Sequence, residues 1–214
     1  MYFGYCIEPR RLFHPRFYLC REVRRAFCNV TLEKTTLNMS ANVLHIVLNE
    51  FVHDTRVLKE CRSLVRFGYS VSVICLHGKG LRKNEDRGGI KIKRLKLHSR
   101  GLPAILKRHK FIQLLGYFEF FFIFFIHSLR SKRFAVAHCH DLQALPLGVM
   151  LKLLGKARKC VYDMHELETE RNSVKQGSIW QSLAKFLERS LLLFSDALIT
   201  VSERIALHYE LNYG

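Results

Sequence analysis

The chain has no glycine loop of the kind that cradles a nucleotide. Its first convincing apolar run, Val43–Leu48, is followed by Asn49-Glu-Phe-Val-His-Asp54, with neither GxxxxGK[ST] nor GxGxxG. This argues against an NTP or dinucleotide site on that turn. Cysteine pairing is missing too. The seven cysteines, an odd number, include no CxxC pair, so no disulfide framework or zinc-ribbon spacing is present. Cys75 lies inside an apolar strand pattern and Cys160 opens another, as buried reduced thiols in a reducing cytoplasm do. The first 38 residues alternate aromatics with arginine and supply no apolar h-region, so no secretory signal is expected. Long apolar runs are scarce. The best, Phe111–Ile126, is broken by Gln113, Gly116 and Glu119, which is too short and interrupted for a membrane span. A helix apolar on nearly all sides is expected instead to be a buried element of the domain.

Acidic residues are few, 18 against 35 lysines and arginines in 214 residues. The resulting charge of +17 is regional. Residues 79–133 hold 15 basic and 3 acidic side chains, whereas residues 134–214 hold 9 of each. A basic belt suits an anionic partner. The segment Lys79–Arg133 is read as either a solvated edge kept soluble by lysine or a surface for anionic lipid. It carries no known base-reading motif, so no nucleic-acid partner is expected.

What is present is a regular alternation. Strands are expected over Val43–Leu48, Ser70–Leu76, Ile90–Leu97, Phe134–Cys139, Lys159–Asp163 and Ala197–Val201. Helices are expected over Thr55–Phe67 (closed by Gly68), Pro103–Arg130, Leu142–Leu154, Ser178–Phe194, and from a Ser202 cap through Tyr209. The pattern implies an α/β, Rossmann-like doubly wound fold, a mostly parallel sheet with helices on both faces. We divide the chain into a basic N-terminal extension of doubtful order, residues 1–38, and a Rossmann-like domain, residues 39–214. Met39 directly precedes the first strand and is the expected natural start.

In such sheets ligands gather at the carboxyl ends of the strands. Three polar clusters fall there: Asn49–Asp54, His138–Asp141 and Asp163–Glu170. His138 and His140 share a strand face. They suit a metal, with Asp141 or His165 completing the shell, or a polar ligand site, or are plain strand-end histidines. His165 and Glu166 sit where carboxylates surround an imidazole, an arrangement for general base work or for gripping hydroxyls. Asp54 is a good helix N-cap, and Arg56 stands where a helix N-terminus can help hold an anion.

In order, these pieces resemble the N-terminal, acceptor-side domain of family 4 GT-B glycosyltransferases. The resemblance covers about residues 41–214. It rests on Asp54-Thr-Arg56-Val-Leu-Lys-Glu60, Phe67-Gly68-Tyr-Ser-Val-Ser-Val73, Gly89-Ile-Lys-Ile-Lys-Arg94, Val136-Ala-His-Cys-His-Asp141, Tyr162-Asp-Met-His-Glu166, and Glu188-Arg-Ser through Ser195-Asp-Ala-Leu-Ile-Thr-Val-Ser202. It implies transfer of a hexose from a nucleotide sugar to a glycan or lipid-linked acceptor, with retention of configuration. His140 would contact the donor sugar near the reaction centre, and Asp141 would orient that group. Asn49, Asp54, Arg56, His138, His165 and Glu166 would line the substrate cleft. The resemblance implies no metal or other cofactor, while the cysteine usage, the basic belt and the Phe-rich stretch Phe111–Ile126 point to a cytoplasmic protein peripheral on the inner membrane face. Family members usually carry a glycine pair where this chain has Asn49-Glu-Phe-Val-His-Asp54. The donor-binding domain is expected soon after Gly214, so the chain alone is expected to be inactive, or to pair with a separate donor-binding subunit. A His/Asp metal hydrolase is the remaining alternative.

Overall fold

A computed structural model describes residues 5–7, 18–19, 42–99, 110–167 and 177–213. In chain order the elements are β1 (Tyr5–Ile7), β2 (Tyr18–Leu19), β3 (Asn42–Ile46), α1 (Thr55–Arg66), β4 (Ser70–Leu76), β5 (Asn84–Asp86), β6 (Ile90–Leu95), α2 (Lys110–Arg130), β7 (Phe134–His140), α3 (Leu145–Leu153), β8 (Ala157–Met164), α4 (Ile179–Leu192), β9 (Ala197–Thr200) and α5 (Glu203–Tyr213). The sheet order is β2-β1-β9-β8-β7-β3-β4-β6-β5. All six expected strands are found, parallel to one another from β9 to β6. This is the Rossmann-like α/β fold the alternation implied. Two short antiparallel strands from residues 1–38 extend the β9 edge, and β5 lines the β6 edge. The expected start of α2 over 103–109 and the acidic residues Glu168 and Glu170 lie outside the described residues.

Helix boundaries follow local chemistry. The Asp54 carboxylate accepts from the Val57 amide at 3.2 Å, capping α1. Gly68, at φ +80°, closes that helix where a side chain would be strained. Ser178 caps α4 through the Gln181 amide, and Ser202 accepts from Ile205 before α5. The two faces of the sheet bury different sets. Val43, Val71, Val73, Cys75, Ile90, Ile92 and Val136 meet Val57 and Cys61 of α1. Leu44, Ile46, Ile74, Ala137, Cys139, Cys160 and Tyr162 meet α2 and α3, with Leu192 and Tyr209 from the last two helices. Glu188 is fully buried there and accepts from the Tyr162 hydroxyl at 3.2 Å and from that of Tyr209, which ties α4 and α5 to β8. Cys61, Cys75, Cys139 and Cys160 are free, buried thiols.

Two expectations need correction. Helix α2 is not buried all round. Phe120, Phe124 and Ser128 face the sheet at helical spacing, whereas Leu114, Phe118, Phe122 and Ile126 form an exposed stripe, with Phe122 62% accessible. An all-round apolar helix has no polar face to say which side is wet, so sequence could not separate the two cases. None of the described helices is long and apolar enough to cross a membrane. The basic belt is also not uniformly solvated. Arg94 shares strand parity with Ile90 and Ile92, so it points under α1 and is 2% exposed. Its guanidinium pairs with Glu85 at 2.8 Å and donates to the Glu50 and Arg82 carbonyls.

Gly148 sets how closely α3 approaches the sheet. A Cβ there would lie 2.1 Å from the Cys139 sulfur and 3.0 Å from that of Cys160. Gly148→Ala should therefore lose about 1–3 kcal/mol in urea unfolding, despite alanine's better helix propensity. Adding Cys139→Ala should recover part of the loss. An undiminished midpoint for the single variant contradicts this packing.

Candidate functional site

The parallel register creates the site. In it His45 of β3 lies opposite His138 of β7, and His140 opposite Asp163 of β8. All four side chains point to the α1 face, because they share parity with Val43, Val136 and Val161. His165 follows on the same face. The first two turns of α1 cover them and add Arg56 and Glu60, one helical turn apart. The result is a polar layer between one helix and the strand ends. His45, His138, His140 and Asp163 are each 3% exposed or less.

Its geometry centres on the His140 ring and one carboxylate oxygen of Asp163. His140 Nε2 lies 2.9 Å from His45 Nδ1, and His140 Nδ1 lies 3.0 Å from Asp163 Oδ2. The same carboxylate oxygen is 3.4 Å from His165 Nε2 and 3.9 Å from His138 Nε2. The imidazoles of His138 and His140 stack at 4.5 Å between centroids. Several buried atoms nonetheless lack a hydrogen-bond partner: His45 Nε2, Arg56 Nε, Glu60 Oε2, and both ring nitrogens of His138 and of His165. The 3.4 Å approach of His165 to Asp163 is thus close without being a hydrogen bond. A buried polar atom left unpaired costs about 1–3 kcal/mol, so this layer is built at considerable expense in stability.

Burial governs the charge states. It holds the His45 and His138 imidazoles well below their ordinary range, with His140 adding repulsion. Burial first and the Arg56 guanidinium second bring His140 and His165 down to about 3. Burial pushes the Asp163 carboxyl up to about 7, against the opposing pull of Arg56, and raises Glu60. At neutral pH the imidazoles are uncharged. Two overlapping sets of groups could hold a metal: Glu60 with His45, His138 and His140, and His140 with Asp163 and His165.

The sequence-predicted residues separate into layers. His138 and His140 are sealed. His140, expected against a donor sugar, has both ring nitrogens engaged and is 1% exposed. It does not reach solvent in this conformation, because its strand parity turns it under α1 rather than out of the sheet end. Asp141 reaches the surface, with its side chain 42% exposed, and holds a left-handed φ of +69° that side chains seldom adopt. Its amide donates to the Asp163 carbonyl at 3.0 Å, which fixes the turn. His165 is 12% exposed and lies 4.0 Å from Asp141. Arg56 is half-buried beside the cluster. Glu166 is exposed. Asn49 is not part of the cluster; its amide donates to the Asp54 carboxylate at 2.9 Å, and Asp54 is occupied as the α1 cap. Sequence reasoning passed over His45 and Glu60 as site residues. The signal for His45 was its place in an otherwise apolar strand; Glu60 offered only its spacing from Arg56. A separate cleft of about 730 Å³, lined in part by Lys91, Lys93, His127 and Lys132, lies on the opposite face towards the strands' starts and touches none of these residues.

The parallel sheet flanked by helices, with its polar layer at the strand ends, defines the class: a Rossmann-like α/β domain. The family comparison makes this specific. The glycosyl transferase 4-like domain family matches residues 53–214, and the chain belongs to that family. Two solved structures share the fold. One is a piece of sucrose-phosphate synthase from Thermosynechococcus elongatus, 13% identical, with 78% of this chain and 80% of that chain covered and a TM-score of 0.55. The other is sucrose-phosphate synthase from the same organism at 12% identity and a TM-score of 0.54, covering 73% of this chain and 41% of that one. This chain therefore matches less than half of that longer chain. No curated protein matches the sequence.

The depressed imidazoles fix a pH dependence. Their protons are taken up only on unfolding, since a free imidazole titrates near 6.5. The stability they permit is complete above about pH 6.5 and is lost as pH falls towards 3. Asp163 and Glu60, raised by burial, act in the opposite sense as pH rises towards about 7. The four imidazoles outnumber the two carboxyls, so acidification is the losing direction. In chelator-containing buffer the urea midpoint should fall from pH 7 to pH 5, and fall less in His165→Asn. A midpoint independent of pH over that range contradicts the buried neutral imidazoles.

Proposed function

We propose that this glycosyltransferase domain forms the acceptor-side wall of a site that transfers a hexose from a nucleotide sugar to a glycan or lipid-linked acceptor, with retention of configuration. The observation that supports it is the layered set His140–Asp163–His165–Asp141 at the carboxyl ends of β7 and β8. In this reading Asp141 and His165 face the sugar, with Glu166 and Arg56 at the rim. His140 and His138 position them from below rather than touching substrate. A neutral His165 beside a carboxylate offers hydrogen bonds to sugar hydroxyls, and the transfer itself uses no metal. The α1 N-terminus and Arg56 favour the donor's anionic end. The diphosphate grip comes from a donor-binding domain, in the same polypeptide or a partner chain. A metal hydrolase is disfavoured, because His138 and His140 are sealed from water.

The test is transfer of labelled sugar from UDP-, GDP- and ADP-hexoses to endogenous acceptors in the presence of the donor-binding domain, with product anomers assigned by NMR. Asp141→Ala should lower transfer by about 100-fold, the scale of one well-placed polar group. Asp141→Gly, which tolerates the left-handed φ, separates the carboxylate from the turn: it should remain as impaired as the alanine variant while restoring folding stability. Full activity in Asp141→Gly, or products of inverted configuration, overturns the assignment.

The exposed stripe of α2 and the basic surface around Lys79–Arg133 support a peripheral site on the inner membrane face, where a lipid-linked acceptor would be met. Flotation with liposomes should then require anionic lipid, weaken with salt, and fall in Phe118→Ser with Phe122→Ser. Absence of binding at low salt removes this part of the reading.

A further inference from the structure

Four side chains from three elements converge beneath α1 without satisfying one another. The candidate ligand atoms of His45, Glu60, His138 and His140 all lie within 4.8 Å of each other. Three of the four contribute a buried atom that has no hydrogen-bond partner: His45 Nε2, Glu60 Oε2, and both nitrogens of His138. The fourth, His140, has a nitrogen 2.9 Å from His45. Two nitrogens on one tetrahedral zinc-type ion, each bonded at about 2.0–2.1 Å, would be separated by about 3.4 Å. The His45 Nδ1–His140 Nε2 pair therefore needs only a small shift.

We propose that His45, Glu60, His138 and His140 bind one divalent transition-metal ion of the zinc type, pinning α1 to β3 and β7. Four protein donors close the coordination shell, so the ion is structural and offers no position to a substrate. Nitrogen and carboxylate donors without thiolate favour zinc and its neighbours over calcium or magnesium. Asp163 completes the arrangement from outside. Its Oδ2 lies 3.0 Å from His140 Nδ1, which leaves Nε2 of that ring to face the ion. A carboxylate behind a ligating imidazole fixes the tautomer and strengthens the ligand. Burial keeps all three imidazoles unprotonated, as ligands must be. Glu60 loses its proton on binding, so its charge offsets part of the ion's. Arg56 is the competing cation beside the cluster.

This site lies behind the proposed sugar-facing residues and does not depend on that reading. The test uses the full chain, stripped with chelator, equilibrated with zinc and passed over a desalting column. One zinc per chain and a raised Tm are expected. Cobalt in its place should give the intense visible bands of a four-coordinate ion. His45→Asn and Glu60→Gln, checked for folding by circular dichroism, should each weaken zinc binding by about 10–100-fold or more, Asp163→Asn by a similar factor, and Arg56→Gln should strengthen it. Folded wild-type protein that retains no zinc and shows no cobalt bands overturns the proposal, with no variant needed. So does zinc binding that His45→Asn and Glu60→Gln leave unchanged, since the ion then sits on surface histidines.

Discussion

Burying several titratable side chains between one helix and a parallel sheet is the constraint on which the rest of this domain turns. Apolar residues would stabilise the α1 interface at every one of these positions. Val43, Val71, Val73 and Val136 do so on the same face, a few ångströms away. The cost of desolvating His45, His138, His140, Asp163 and Glu60 is met by keeping them uncharged and by making Asp163 serve several imidazoles at once. It also ties the position of α1 to the protonation of the layer. Any proton added to an imidazole introduces a charge that Asp163, Glu60 or Asp141 must answer. The N-terminal half of α1 is therefore the element most sensitive to what happens at the strand ends.

The fold was legible from local chemistry wherever one residue decides one boundary. Asp54, Gly68, Ser178 and Ser202 mark helix ends through a carboxylate, a missing Cβ or a hydroxyl, and each does so in the structure. Strand positions were legible because apolar runs buried on both faces differ from helical spacing. The site was legible only in part. His138 and His140 announce a shared face through their spacing, and His165 and Asp141 follow strands. That His45 joins them depends on the β3–β7 register, and that Glu60 caps them depends on where α1 crosses the sheet. Neither is a property of a sequence window. Parity shows that His138 and His140 share a face, but not which face is covered, so the burial of His140 under α1 was not legible.

The depth of each residue also assigns its kind of work. His45 and His138 are sealed and can act only on neighbours. His140 links that layer to Asp163, and Asp163 links it to His165 and to the Asp141 amide. Asp141, in its left-handed conformation, is the point where this chain of contacts meets solvent. A non-glycine residue persists at φ +69° only when its surroundings over-determine it, and here the amide bond to the Asp163 carbonyl does so. Rigid support from buried strands is what a sugar-binding edge needs, because a misplaced carboxylate loses its hydrogen bond to a hydroxyl within a fraction of an ångström.

The charge state of His165 narrows the chemistry further. With its imidazole held near 3, it is neutral through the physiological range. It cannot deliver a proton as an imidazolium there, and a general acid with so low a pKa would be spent before the reaction began. A neutral imidazole can accept from one partner and donate to another, which matches a sugar hydroxyl on one side and a carboxylate on the other. Asp163, poised near neutrality, is the group whose proton is most easily moved. It is buried, however, and reaches solvent only through His165 and the Asp141 turn. In the proposed site, recognition of hydroxyls therefore falls to the neutral imidazole and the Asp141 carboxylate, with Asp163 held behind them.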